Sequence, residues 1–187
     1  MSEKINRAVL ETVYSSLNFK TLEGERFEII SIKDKERYAE VCDLRRETYR
    51  PTMTDEQWKV FEDRISDDPD DADIVCMYLN DKLVASVSFF HIAPNQLFSS
   101  MMCITPKLIG QKTSFRIRQY MMWRMSIDPK YSHVDTVVGR VRDELMQHNK
   151  HMGAKIVGTI MYNDLIRFHI IEIDMVEPRK LFLRQNL

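Results

Sequence analysis

At 187 residues, with 44% hydrophobic residues, the chain has the length and apolar content of one folded domain with a sizeable core. A formal net charge of -1 is not the strongly basic balance of a nucleic-acid binder, and the basic residues lack aromatic interleaving. No apolar run approaches the roughly 18 residues that a membrane span needs. The N-terminus is polar and carries no secretory leader pattern, so the expected location is the cytoplasm. Cys42, Cys76 and Cys103 sit in apolar patterns without metal-ligand spacing and read as reduced core residues, a nucleophilic role being the lesser reading.

The total charge hides an asymmetry. Residues 1–80 hold 19 acidic and 12 basic residues, whereas residues 105–155 hold 4 acidic and 10 basic. The basic part favours an acidic ligand or an acidic protein partner there, against the plain alternative of solvated surface charge.

In chain order, Ile5, Val9, Val13 and Leu17 make one helical stripe, so residues 1–22 read as an N-terminal helical extension and 23–187 as the main domain. Phe27 to Ile32 reads as the first strand. Asp34 is placed to cap a helix on which Tyr38, Val41, Cys42, Arg45 and Tyr49 recur at helical spacing, ending before Pro51. Thr54 to Gln57 has the spacing of a capping box, opening a helix with Trp58, Phe61 and Ile65 on one stripe. After an acidic run from Asp67 to Asp73, Ala72 to Leu79 and Leu83 to Phe90 read as a hairpin turning at Asn80-Asp81. Leu97 to Ile104 is a further strand, followed by a loop up to Thr113.

The large apolar residues between Gln119 and Ile127 suit a buried strand stopped by Asp128-Pro129. A helix is expected from Asp135 or Thr136, with Val137, Val138, Val141 and Leu145 as its stripe and Gly153 at its end. The free amides of that helix start would form an anion site. Ala154 to Met161 follows as a strand, Asn163 is expected to cap a short helix carrying Ile166, Phe168 and Ile170, and Arg179 to Leu183 is a candidate last strand.

Trp-Arg-Met-Ser-Ile-Asp-Pro-Lys-Tyr at 123–131, together with Met-Gly-Ala-Lys-Ile-Val at 152–157, resembles the central motif of the GNAT superfamily of N-acetyltransferases. The resemblance implies an α+β fold with a mixed central sheet flanked by helices. It also implies a strand whose backbone, at Met125 and Ile127, pairs with the pantetheine arm of an acyl donor. The following loop, Ser132, His133, Val134, Asp135, Thr136 and Val137, would hold the donor's phosphate. In the N-terminal half, Val41 to Tyr49, the downstream Trp58 and the acidic run resemble the branch of acyl-homoserine-lactone synthases and long-chain N-acyl amino acid synthases. That likeness implies acceptor-side roles for Arg46, Tyr49, Trp58 and Asp71 and a site role for Arg124. Met121 stands where that branch has a Glu, and Phe89 falls near its usual hairpin Arg.

Acetyl-CoA enzymes of the superfamily carry Arg/Gln-x-x-Gly-x-Gly/Ala in the phosphate loop. Val137 limits close approach in the loop assigned here, and the Asp135 carboxylate repels an anion by about 1 kcal/mol at ~4 Å in bulk water. A carrier protein, with a single phosphodiester and an acidic surface, suits the basic region better than coenzyme A. A loop that has lost donor binding altogether is the competing reading.

N-acyl transfer needs a base for the amine, donors for the oxyanion and an acid for the departing thiolate. His169, with Tyr162 nearby, is the candidate acid, against the reading of a hydrogen-bonded histidine at the core edge. The base is Asp71, His91 or a water. Arg124 inside an apolar strand would need an anionic partner, either substrate or a structural carboxylate. Met101, Met102, Met121, Met122 and Met125, among twelve methionines, suit a medium or long acyl chain, or plain core.

The sequence therefore reads as an N-acyltransferase moving a medium or long acyl chain from acyl carrier protein to the amine of a small amino-acid-like acceptor. It binds no permanent cofactor or metal; the acyl-phosphopantetheine donor is a substrate. An acetyl-CoA-dependent acetyltransferase and a non-catalytic binding protein on the same scaffold are the alternatives.

Overall fold

The structure is a computed structural model that describes residues 19–142, 149, 153–176 and 180. The chain divides into two compact units, one made of Lys20–His91 and Ser99–Arg118, the other of Met1–Phe19, Ile92–Phe98 and Gln119–Leu187. Among the described residues ten helices and strands follow one another: β1 (Glu25–Ser31), α1 (Lys35–Tyr49), α2 (Asp55–Phe61), β2 (Asp73–Leu79), β3 (Lys82–Ala93), β4 (Gln96–Ile104), α3 (Thr113–Ile127), β5 (Thr136–Val141), β6 (Lys155–Tyr162) and β7 (Ile166–Asp174). Hydrogen bonds order the strands β1-β2-β3-β4-β5-β7-β6 in one mixed, seven-stranded sheet, an α+β architecture.

In the first unit the local rules act as the sequence suggests. Asp34 caps α1 by accepting from the Arg37 amide at 3.2 Å, and Pro51 follows the helix in a short 3-10 turn, Arg50–Thr52. The capping box is closed: the Gln57 amide donates to Thr54 Oγ1 at 3.2 Å and the Thr54 amide to Gln57 Oε1 at 3.0 Å. β2 and β3 form an antiparallel hairpin. Its turn residues Asn80 and Asp81 have φ of 50° and 63°, which short polar side chains tolerate. Gly24, at φ 76°, lies beside that turn, where an added Cβ would sit 2.5 Å from Asn80 Oδ1.

The core of this unit packs Ile30, Ile32, Val41, Ala72, Ile74, Cys76 and Tyr78 together. β2 is buried on both faces from Ile74 to Tyr78, which explains its unbroken apolar run. All three cysteines are free and buried. Burial pushes the Cys76 thiol up to about 12, so it is not poised as a nucleophile.

In the second unit β7 lies between β5 and β6 and is antiparallel to both. Val141, Ala154 and Ile171 form its core cluster with Ile173 packed against them. Three expected elements are corrected here. Gln119–Ile127 is not a strand: it is the second half of α3, because Ile117, Met121 and Met125 are buried at intervals of one turn and their neighbours are helix formers. Asp128-Pro129 therefore ends a helix, with Arg124 paired to Asp128 at 2.9 Å across its last turn. No helix starts at Asp135. Thr136–Val141 is a strand in which Val137, Gly139 and Val141 are buried alternately, and β-branched valines favour that geometry. Ile166, Phe168 and Ile170 likewise lie on strand β7, since their spacing of two is a strand period. Asn163 sits in the β6–β7 turn instead of capping a helix. The expected N-terminal helix of Ile5 to Leu17, Leu145, and the expected strand Arg179 to Leu183 apart from Lys180 lie outside the described residues; Lys180 itself is helical, not extended.

Candidate functional site

Within β4, Met101 has a φ of 51°, a left-handed value rare for a long side chain in a strand. Two side chains from α1 hold the strand beyond it. Tyr49 Oη donates to the Met102 carbonyl at 2.6 Å, and Thr48 Oγ1 donates to the Ile104 carbonyl at 3.0 Å. Tyr49 is in turn braced by the Phe61 ring, centroid to centroid 5.4 Å. Local strain of this kind, over-determined by its surroundings, re-aims the backbone amides that follow.

β4 ends at Ile104, and the buried Thr105 opens a loop. The Thr105 amide is fixed to the Val84 carbonyl at 2.8 Å, while the Thr105 hydroxyl is buried without a partner. Pro106–Leu108 makes a single 3-10 turn. Gly110, at φ 83° with open space around the Cβ position, then leads into α3. The Arg116 amide donates to the Lys112 carbonyl at 2.9 Å, so Lys112 stands at the N-cap and the amides of Thr113 to Phe115 have no bond within the helix. Lys107 and Lys112 are exposed, and no Asp or Glu occurs between Asp81 and Asp128. Free amides, the helix dipole and two lysines make this turn suited to an anionic group.

The expected anion site at 132–137 has no helix start. There, Pro129–Tyr131 is a 3-10 turn, Ser132 and His133 are exposed, Val134 is buried, and Asp135 is tied to Asn95 Nδ2 at 3.0 Å. Thr136 and Val137 open β5, and Met125 and Ile127 lie on α3, so none of them offers a helix N-terminus or a strand edge of β4. The sequence did carry a sign of the observed loop. Lys107-Leu-Ile-Gly110-Gln-Lys112 keeps the spacing of a polar residue and glycine in the superfamily phosphate loop, with Lys112 in the last, normally small, position.

The acceptor-side residues separate. Tyr49 is half-buried against β4, as described. Trp58 is half-buried with the Arg50 guanidinium 5.8 Å from its ring centroid. Arg46 is an exposed partner of Asp43 at 2.8 Å, and Asp71 is exposed. The buried charges are their neighbours, Arg45 and Asp68. Arg45 Nη1 donates to Asp68 Oδ2 at 2.6 Å and to the Ile65 carbonyl at 2.7 Å, Nη2 donates to Ser88 Oγ, and Tyr38 Oη donates to Asp68 Oδ2 at 3.0 Å. Burial pushes the Arg45 pKa down, but the charge and hydrogen bond of Asp68 outweigh it and hold the guanidinium above its ordinary value. The helical stripe from Tyr38 to Tyr49 includes Arg45, which is buried, and not Arg46, which is exposed.

In the second unit His169 lies on β7 opposite Thr159, with Nδ1 3.3 Å from Thr159 Oγ1. Tyr162 ends β6 and is half-buried. Arg124 is not enclosed: its side chain is 38% exposed and engages Asp128. Of the methionines, Met121, Met122 and Met125 are buried on α3, while Met101 and Met102 lie half-buried on β4. Among the described residues no three His, Cys, Asp or Glu side chains cluster as metal ligands, and no helix is long and apolar enough to cross a membrane.

No protein-family model and no curated protein matches the sequence. Solved structures do match in fold. FeeM, an N-acyl amino acid synthase from uncultured soil microbes, superposes with a TM-score of 0.59 at 12% identity, covering 83% of this chain and 93% of that one. The ribosomal-protein-S18-alanine N-acetyltransferase of Escherichia coli gives a TM-score of 0.59 at 9% identity, over 80% and 94% of the two chains. An aminoglycoside 6'-N-acetyltransferase complexed with coenzyme A gives 0.60 at 10% identity, over 81% and 97%. At these identities the likeness establishes the fold, that of the GNAT N-acyltransferases.

Proposed function

We propose that the chain is an N-acyltransferase that takes a medium or long acyl group from a phosphopantetheine thioester, presented by acyl carrier protein, and transfers it to the amine of a small amino-acid-like acceptor. The observation that carries this reading is the left-handed Met101 in mid-β4, pinned from behind by Tyr49 and followed directly by the loop that opens α3. The fold shared with an N-acyl amino acid synthase and with a coenzyme A-binding acetyltransferase supports the reaction class.

In this reading Gly110, Lys107, Lys112 and the free amides of the first turn of α3 receive the donor's phosphate. In the same reading the thioester carbonyl lies along β4, where backbone amides beside the Met101 kink donate to the oxyanion. The acceptor amine gives up a proton to a base and attacks the carbonyl carbon. A C–N bond forms, and the C–S bond breaks as the thiolate takes a proton from an acid. Coenzyme A is the alternative donor. The acid-free stretch between Asp81 and Asp128 favours a carrier protein, because it leaves the loop without local carboxylates to repel an acidic partner.

Native mass spectrometry of the purified protein with acyl-CoA and with acylated carrier protein tests the donor. A complex formed with the acylated carrier protein, and acyl transfer to an amine pool, is the expected result. Binding of acetyl-CoA alone would move the assignment to an ordinary acetyltransferase. Absence of binding to either donor at micromolar concentration would leave a non-catalytic scaffold.

A further inference from the structure

We infer that the start of α3 carries a second recognition element, an apolar and basic docking surface for the protein part of the donor, adjoining the groups that hold its phosphate. This inference rests on the proposed carrier-protein reading and assigns the surface that would select such a donor over a free thioester.

Two apolar side chains are strongly exposed near this turn: Leu22 at 60% and Ile109 at 61%. Exposure of single leucines is ordinary, but these two stand on separate loops that converge on the same helix end. Arg116, in the second turn of α3, joins them. Its Nη2 donates to the Lys20 carbonyl at 2.6 Å, and its Nε donates to Glu25 Oε1 at 3.0 Å. Glu25 Oε2 also accepts from the Leu22 amide at 2.9 Å, so one carboxylate holds the Leu22 loop to the helix. Ile109 sits in the loop that opens α3, with the amides of Ile109 and Gln111 bound to the carbonyls of Pro106 and Leu108 at 3.2 and 3.1 Å.

Charge says which partner fits. Lys20, Lys107 and Lys112 are exposed on the same two loops. Glu25 is 5% exposed and neutralised by Arg116, leaving Glu23 as the one acidic residue of these loops turned to solvent. An acidic helix with a few apolar side chains complements such a surface: the lysines steer it and Leu22 and Ile109 supply the apolar contact. A docked carrier protein would bring its arm to the turn at Gly110. A second copy of this chain fits less well, since it would set these lysines against each other.

The test compares two donors in L22E and K20E variants, neither of which alters a group assigned to the phosphate or the oxyanion. Steady-state transfer is measured with acylated carrier protein and with the same acyl group on free pantetheine, and sedimentation gives the mass of each variant. The expected result is a rise of tenfold or more in the carrier-protein KM, with pantetheine-thioester turnover within twofold of the parent. Equal losses with both donors, or no loss with either, would overturn the docking surface while the parent's use of carrier protein stands. A parent inactive with carrier protein would overturn both readings. A parent dimer dissociated by L22E would reassign the surface to self-association.

Discussion

Arg45 and Asp68 meet at 2.6 Å with side chains 0% and 3% exposed. A pair so enclosed is sensitive to loss of one member, because the survivor keeps its charge without compensation. Arg45 also spans three segments, touching the Ile65 carbonyl after α2 and Ser88 on β3, so it fixes the acidic run against the sheet.

The first prediction follows from that asymmetry. Arg45→Met should cost about 3–5 kcal/mol in urea unfolding, and Asp68→Asn a similar amount. The double variant Arg45→Met with Asp68→Leu should lose clearly less than the sum of its singles. Simple additivity would show that the two charges are not energetically coupled.

Tyr49→Phe removes the hydrogen bond to the Met102 carbonyl but keeps the ring against Phe61. Stability should fall by about 1 kcal/mol. If the Met101 kink aligns the oxyanion donors, kcat should fall by roughly tenfold, equivalent to about 1.4 kcal/mol of barrier, with donor KM little changed. Unchanged kcat at the lowered stability would remove the kink from the mechanism.

Glycines at two turns separate strain from function. Gly110→Ala meets open space, so its cost is the backbone conformation alone, about 1 kcal/mol, relieved by shifting an exposed loop. The expected outcome is a melting temperature within a few degrees of the parent and a several-fold weaker donor. Gly24→Ala adds a clash with Asn80 to a φ of 76° and should lower the melting temperature more, without touching affinity for acyl-phosphopantetheine freed from the carrier protein. The reverse order of effects in calorimetry and donor titration would separate the loop at Gly110 from the phosphate.

These contrasts also mark what could be read in the sequence. Capping residues and the Asn80-Asp81 turn act within four residues, so α1, α2 and the β2–β3 hairpin were legible from local chemistry. The stretch from Gln119 to Ile127 was not. Tyr120-Met121-Met122-Trp123 is apolar on successive residues, which fits a buried strand and a helix alike, and the deciding period Ile117-Met121-Met125 starts before the apparent segment. With that stretch read as a strand, the next helix start was expected at Asp135 or Thr136, whereas the structure has it at Thr113. Tertiary choices between neighbours, such as Arg45 rather than Arg46 and Asp68 rather than Asp71, depend on which side of a helix or loop meets the sheet.

The last prediction concerns pH and the loop that Arg116 holds. Burial raises the Glu25 pKa, but the hydrogen bonds from Arg116 and the Leu22 amide, with the Arg116 charge, outweigh it and leave the carboxyl below its ordinary 4.5. A depressed folded-state pKa means that the stabilisation is fully present above the unfolded value. It is lost as pH falls from about 4.5 through the lower, folded-state value. Glu25→Gln should therefore destabilise the protein at neutral pH, and the difference from the parent should shrink on acidification through this window. Chemical unfolding of both proteins at neutral pH and at a series of acidic pH values measures that convergence. A gap that stays constant on acidification would mean that Glu25 supports the Leu22 loop by shape rather than by its ionised contact with Arg116.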